Sequence, residues 1–370
     1  MFDKYSNLSL KVKTGHLQQV SDYVKELNNK PDLRSLFIEM TLNCNEHCRH
    51  CGSRCGDIKM KDQLTDKEIL TFLTDLSSRM ETLPFLNITG GEPMLRPGFI
   101  DLMRDISDLG FKWGMTTNGT LINDSKVVDR LIDAGLRTIS ISIDGLRSTH
   151  DWFRQTKGGY DKSINAIKLL VEKKKSLSNI MVTTVVHREN VHELEMLYKE
   201  IKDLGIDTWR IINLEPIGRA KDNAEIALVD NDYKVIVDFI KKYRKLDNEL
   251  EITFGCNHWL GIQNEHRLRN WYFRCDAGTR TGGIFYNGDI GGCLDIERRP
   301  ETIQGNIRTD DFISVWENKF QVFRKNRALE SDFCRDCKDK EFCRGDGFHT
   351  WDLDNNRPNL CMHKIVNGCE

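Results

Sequence analysis

The stretch Met40-Thr-Leu-Asn-Cys44-Asn-Glu-His-Cys48-Arg-His-Cys51 places three cysteines at C-x3-C-x2-C spacing, directly after an apolar run from Leu36 to Leu42. Three thiolates on one loop can hold three corners of a cubane iron–sulfur cluster. The fourth iron then has no protein ligand, and an open iron is a place where chemistry can happen. Zinc draws on the same residue types, but a structural zinc site takes four ligands.

The apolar run is the first of six strand candidates: Leu36–Leu42, Phe85–Thr89, Lys112–Thr117, Thr138–Ile143, Ile180–Val186 and Thr208–Leu214. Amphipathic helical stretches separate them: Asp66–Leu76, Pro97–Leu109, Ser125–Ala134, Lys162–Lys173 and Val191–Leu204. Thr65 with Glu68 reads as a capping box, and Gly110, Gly135 and Gly205 sit just past helix ends. Strands alternating with helices imply a parallel sheet with right-handed crossovers. The expected fold is α/β, a partial (β/α)6 TIM-like barrel with its chemistry at the C-terminal strand ends.

Motifs fall at those ends. Thr89-Gly-Gly-Glu-Pro93 follows the second strand, and its glycines allow a ligand to approach the backbone. Thr116-Thr-Asn-Gly-Thr120 follows the third. In Ser140-Ile-Ser-Ile-Asp-Gly145 the alternation puts Ser140, Ser142 and Asp144 on one face and Ile139, Ile141 and Ile143 on the other. The polar set is expected to point into the lumen, to be satisfied by a ligand or water. Glu215-Pro-Ile-Gly-Arg-Ala220 follows the sixth strand.

Length and composition set outer limits. The 370 residues suffice for two or three domains. The net charge of -2 gives no reason to expect a nucleic-acid partner. The N-terminus lacks a basic segment backed by an apolar stretch, and no apolar run approaches the ~18 residues that span a bilayer. A soluble, cytoplasmic protein is expected, with no membrane partner. Twelve cysteines in a reducing compartment point to metal or catalysis rather than disulfides. Four lie between Cys44 and Cys55, eight between Cys256 and Cys369, and none between these groups.

The triplet followed by Gly90-Gly-Glu-Pro93 resembles the signature of the radical SAM enzymes. The resemblance implies a 4Fe–4S cluster on Cys44, Cys48 and Cys51, with S-adenosylmethionine (SAM) on the open iron as the source of a 5′-deoxyadenosyl radical. It implies that Gly90, Gly91 and Glu92 bind the SAM amino group, and that Asn118, Ser142 and Asp144 reach its ribose and carboxylate. Arg219 lies near adenosine or substrate, or makes a structural loop ion pair.

The last third carries a second cysteine-rich module. Cys275 to Cys293 reads C-x12-G-x4-C, a β-hairpin turning at Asn287-Gly288. Cys334-x2-Cys337-x5-Cys343 follows, and then Cys361. This resembles the SPASM domain of peptide-maturing radical SAM enzymes, which binds two auxiliary 4Fe–4S clusters. The resemblance implies one complete cluster on Cys334, Cys337, Cys343 and Cys361. The other would use Cys275, Cys293 and Cys256, but residue 347, where the pattern asks for a fourth cysteine, is Gly. Asp346 or His349 could substitute, or the site is open, or that cluster is absent. Cys55 and Cys369 are left over, each a buried thiol or a catalytic hydrogen donor. Arg267–Arg274 reads as an amphipathic packing segment.

The implied organisation is an N-terminal extension (1–35), the barrel (36–225), a helical bridge (226–274) and a SPASM-like domain with a β-hairpin and loops (275–370). The implied activity is maturation of a ribosomally made peptide, by crosslinking or epimerisation. The implied partners are that precursor peptide, a separate leader-binding protein, and an electron donor such as flavodoxin or ferredoxin. One alternative is a radical SAM enzyme acting on a tetrapyrrole side chain or a protein residue. An alternative of another class is a non-catalytic iron–sulfur redox sensor or scaffold.

Overall fold

The computed structural model describes residues 9–57, 60–247, 249–255 and 258–368. Cys256 and Cys369 lie outside the described residues. Seven parallel strands form the main sheet: β1 (Ser35–Glu39), β2 (Phe85–Thr89), β3 (Trp113–Thr117), β4 (Leu136–Ser142), β5 (Asn179–Val186), β6 (Thr208–Asn213) and β7 (Glu251–Phe254). Each pairs with its neighbour in chain order.

Helix α1 (Leu10–Asn29) lies ahead of β1, and the barrel helices are α2 (Asp66–Arg79), α3 (Phe99–Asp108), α4 (Ser125–Asp133), α5 (Arg147–Arg154), α6 (Gly159–Glu172), α7 (Leu194–Asp203) and α8 (Asp230–Leu246). The capping box at α2 is formed: Glu68 N–H donates to Thr65 Oγ1 (3.2 Å) and Thr65 N–H to Glu68 Oε2 (2.7 Å). Gly110, Gly135 and Gly205 take φ of +93°, +95° and +75°, the left-handed stop that glycine supplies at no steric cost. Ile139, Ile141 and Ile143 are all buried, and the core runs between strands and helices.

Two features differ from expectation. The bridge expected to be helical carries α8 but also β7, which extends the barrel to a seventh parallel strand. Its Glu-Ile-Thr-Phe is only four residues long, and sheet pairing rather than length makes it a strand. The cysteine-rich segment also does not stand apart. Its hairpin, β8 (Thr281–Ile284) and β9 (Asp289–Gly291), adds to the open edge of the barrel through β8, parallel to β1. Gly288 takes φ +90° in the turn, and β10 (Gly305–Asn306) follows β9. The sheet therefore reads β10-β9-β8-β1-β2-β3-β4-β5-β6-β7. Helix α1 packs through Leu17 on Trp259, Tyr272 and Phe273, so the 267–274 stretch is indeed a packing segment. No described helix is long and apolar enough to cross a membrane.

Candidate active site

The loop after β1 carries Cys44, Cys48 and Cys51, all free thiols; Cys48 is buried and the other two half-buried. Every neighbouring strand end grips this loop. Gly91 N–H donates to the Thr41 carbonyl (2.7 Å) and Glu92 N–H to that of Asn43 (2.8 Å). A Cβ on Gly91 would fall 2.2 Å from the Asn43 oxygen, and one on Gly90 would fall 2.4 Å from that of Thr41. These glycines are required so that two loops can touch.

Glu92 is fully buried. Its Oε2 accepts from Thr117 Oγ1 (2.8 Å) and Asn118 N–H (3.0 Å), and its Oε1 from Met94 N–H (3.2 Å). Burial pushes its carboxyl up to about 7, against those hydrogen bonds. Asn118 Nδ2 donates to Asn45 Oδ1 (2.8 Å), inside the cysteine triplet.

The lumen layer differs from expectation in one respect. Ser140 and Asp144 are satisfied by the protein. Ser140 Oγ pairs with Thr183 Oγ1 (2.7 Å). Asp144 Oδ1 accepts from Val185 N–H and Oδ2 from Arg154 Nε, both at 2.8 Å. Arg154 Nη1 also reaches Glu46 Oε2 (2.7 Å), between Cys44 and Cys48. The result is a buried Glu46–Arg154–Asp144 bridge from the cysteine loop to β4. Among the described residues Ser142 keeps its hydroxyl free of protein partners and remains available to a ligand.

Arg219 is buried and clamps the cysteine loop. Its Nε donates to the Cys48 carbonyl (2.8 Å), and its Nη1 donates to the Cys55 carbonyl (3.0 Å) and pairs with Asp57 (2.9 Å). Of the two roles expected for it, the structural one is what the geometry displays. Cys55 is 2% exposed, and its N–H donates to Cys51 Sγ (3.4 Å). The hydrogen bond between the two thiols lowers the Cys51 pKa and raises that of Cys55. Of the two readings for Cys55, the buried thiol is the one its environment displays. His50 stacks on Phe153, and Phe153 on His187 (3.8 Å), forming a neutral aromatic floor; burial lowers His50 to about 3 and His187 to about 4.

In the C-terminal module Cys334, Cys337, Cys343 and Cys361 line one small cavity, with Asp346 on its wall. Four thiols around one cavity fit a four-cysteine cluster. Cys275 Sγ accepts from Phe348 N–H (3.5 Å), and Cys293 is half-buried. Asp346 is committed elsewhere than to these two. Its Oδ2 lies 3.2 Å from His258 Nδ1, and its Oδ1 accepts from Trp259 N–H (2.5 Å). His258 Nε2 lies 2.6 Å from Glu215 Oε1. Burial alone would lower His258, but the two carboxylates outweigh it and push the imidazole up to about 10.

A second, larger cavity of about 490 Å³ opens between the two modules. Gly52, Ser53 and Arg54, directly after Cys51, form one side; Ile217 and Gly218 another; Leu294 to Arg299 a third; Phe348, His349 and Trp351 the fourth.

Residues 38–201 match the radical SAM superfamily model, and residues 275–338 match that of the SPASM iron–sulfur cluster-binding domain. This chain is a radical SAM protein with a SPASM domain. Its cofactors are accordingly 4Fe–4S clusters and SAM. The AdoMet-dependent heme synthase of Methanosarcina barkeri is 28% identical over 336 residues, spanning 86% of this chain and 92% of that protein. The Fe-coproporphyrin III synthase of the same organism is 25% identical, spanning 83% and 81%. Streptococcus suis SuiB bound to S-adenosylmethionine shares the fold, with TM-score 0.71 at 18% identity, covering 93% of this chain and 80% of that one.

Sequence reasoning located the cysteines of this radical SAM protein and the motifs around them. It missed Arg154, Glu46 and His258. Arg154 ends a short helix and His258 follows a short strand, and neither lies in a spaced pattern. Only the fold brings them to their partners.

Proposed function

We propose that this radical SAM enzyme removes hydrogen from a side chain of a tetrapyrrole. The observation that carries this reading is the likeness to an AdoMet-dependent heme synthase along nearly the whole of both chains, SPASM module included. The cavity between the modules supports it. At about 490 Å³ it falls within the range of small-molecule sites, and its apolar wall includes Phe348, Trp351 and Leu353. Its polar side is mixed: Arg54, Lys221, Arg298 and Arg299 each pair with a protein carboxylate, Asp222, Glu297, Glu39 and Asp354, and a porphyrin carboxylate would have to exchange with one of these partners.

When bound, the cluster and SAM supply a 5′-deoxyadenosyl radical. The rest falls to this chain's residues. Cys44, Cys48 and Cys51 hold the cluster while Arg219, Glu92 and the Glu46–Arg154 pair fix their loop. Ser142 and Asn118 orient SAM, and Glu92 offers its amino group a carboxylate. Cys334, Cys337, Cys343 and Cys361 would hold an auxiliary cluster, which would supply one-electron chemistry, with flavodoxin or ferredoxin as the external donor.

A peptide substrate is the second reading. It is favoured by the fold shared with SuiB, which has also been solved bound to precursor peptide SuiA (TM-score 0.67, 17% identity, covering 97% of this chain and 82% of that one). The deciding experiment gives reconstituted enzyme SAM, reductant and either a carboxylate-bearing iron porphyrin or a short peptide. Deoxyadenosine coupled to a porphyrin mass change supports the tetrapyrrole reading. Coupling to the peptide alone overturns it.

A further inference from the structure

His349 stands out on the wall of the large cavity. It lies on the short 3-10 turn Phe348–Thr350, ahead of a two-stranded ribbon, β11 (Trp351–Asp352) and β12 (Arg357–Pro358). Its neighbours anchor the turn. Phe348 and Thr350 are buried, and Thr350 Oγ1 donates to the Gly347 carbonyl (2.8 Å). His349 between them is only half-buried and lines the cavity. Among the described residues its imidazole makes no hydrogen bond, ion pair or ring contact. His47, His258 and His363, by contrast, pair with Asp57 (2.6 Å), Glu215 and Asp339 (3.2 Å).

An imidazole with both nitrogens uncommitted, on a rigid turn facing an aromatic-walled cavity, is a ready ligand for a transition metal. Imidazole nitrogen suits iron and is the usual protein ligand to the iron of a porphyrin. Phe348 and Trp351 beside it are buried and back the turn, and half-buried Leu353 adds apolar surface to the same wall. The facing wall, Gly52–Arg54, continues from Cys51, so a macrocycle held here would have its periphery next to the cysteine loop.

We propose that His349 coordinates the central iron of a metallotetrapyrrole bound in this cavity. The inference rests on the tetrapyrrole reading above. One nitrogen–iron bond forms, with water as the only leaving ligand, and no electron is transferred. His349 is thereby a positioning residue. It sets the depth of the macrocycle and hence which peripheral side chain meets the radical, and it gives the site a preference for a metallated over a metal-free ring.

The test titrates reconstituted protein, anaerobically and without SAM, with an iron(III) carboxylate porphyrin and with its metal-free form. In the wild type the iron porphyrin should show a shifted Soret band and, once reduced, the iron–imidazole stretch of a single nitrogen ligand. H349A should lose both and bind the iron porphyrin at least about tenfold more weakly, while binding the metal-free ring unchanged. Added imidazole should restore the spectrum in H349G. Iron and sulfide counts report on folding and on cluster integrity. An unchanged spectrum and affinity in H349A overturns the proposal. So does loss of auxiliary-cluster iron with a porphyrin spectrum like the wild type, which would make His349 a cluster ligand. If the wild type binds neither ring, the tetrapyrrole reading itself fails. If it binds both with no nitrogen-ligation signature, only the His349 assignment fails.

Discussion

Nε2 of His258 lies 2.6 Å from Oε1 of Glu215. The contact joins the loop after the last expected barrel strand to the segment entering the SPASM module, and Nδ1 of the same ring reaches Asp346 beside Cys343 (3.2 Å). All three side chains are buried. One cation between two carboxylates thus connects the barrel mouth to the four-cysteine cavity.

Removing that cation leaves two buried carboxylates facing each other. H258L is expected to cost about 3–5 kcal/mol of stability, measured by denaturant unfolding of the apoprotein. The triple variant E215Q/H258Q/D346N removes every charge and should recover part of the loss. A neutral effect of H258L alone would show that the pair contributes nothing.

Arg154 poses the same problem inside the barrel. R154L strands Glu46 and Asp144, both fully buried at the side chain. A loss of similar size, about 3–5 kcal/mol, is expected, together with poorer loading of the first cluster because Glu46 sits between two of its cysteines. Thermal melting and iron content should change together.

Arg219 has a narrower task. R219M removes the donors to the Cys48 and Cys55 carbonyls but leaves the SPASM module untouched. The variant should lose up to about four irons per chain and the reduced SAM-cluster signal. The variant C334S/C337S should instead spare that signal and lose auxiliary iron. Equal loss from both sites in R219M would contradict the assignment.

SAM affinity should depend on pH through Glu92. Burial raises its carboxyl to about 7, so it gains a proton as the pH falls through neutrality. The ionised form is the stronger acceptor for the N–H of the SAM amino group. Affinity should therefore weaken below about pH 7, by up to about tenfold per unit, and level off above it. E92Q should bind weakly at every pH, with a flat profile across that range. A flat profile in the wild type would remove Glu92 from direct contact.

Much of this was legible in the chain. Strand order, the capping box at Thr65 and the hairpin at Asn287-Gly288 follow from local chemistry, because periodicity, capping and turn residues act within a few positions. The cysteines were legible because a cluster demands fixed spacing. Arg154, Glu46 and His258 were not, because a buried ion pair joins residues 108 or 43 positions apart and leaves no local pattern. Roles were also harder to read than positions. Gly91 and Arg219 fall at the expected strand ends, but they hold the cysteine loop in place. The substrate was least legible, since the cavity is assembled from four distant segments.

The most direct measurement follows a label. A tetrapyrrole deuterated on its peripheral side chains would be given to the reconstituted enzyme with SAM and reductant, and the 5′-deoxyadenosine weighed. Deuterium in the deoxyadenosine, matched by a modified macrocycle, is the predicted result. Unlabelled deoxyadenosine, formed at the same rate with and without the tetrapyrrole, would contradict the account.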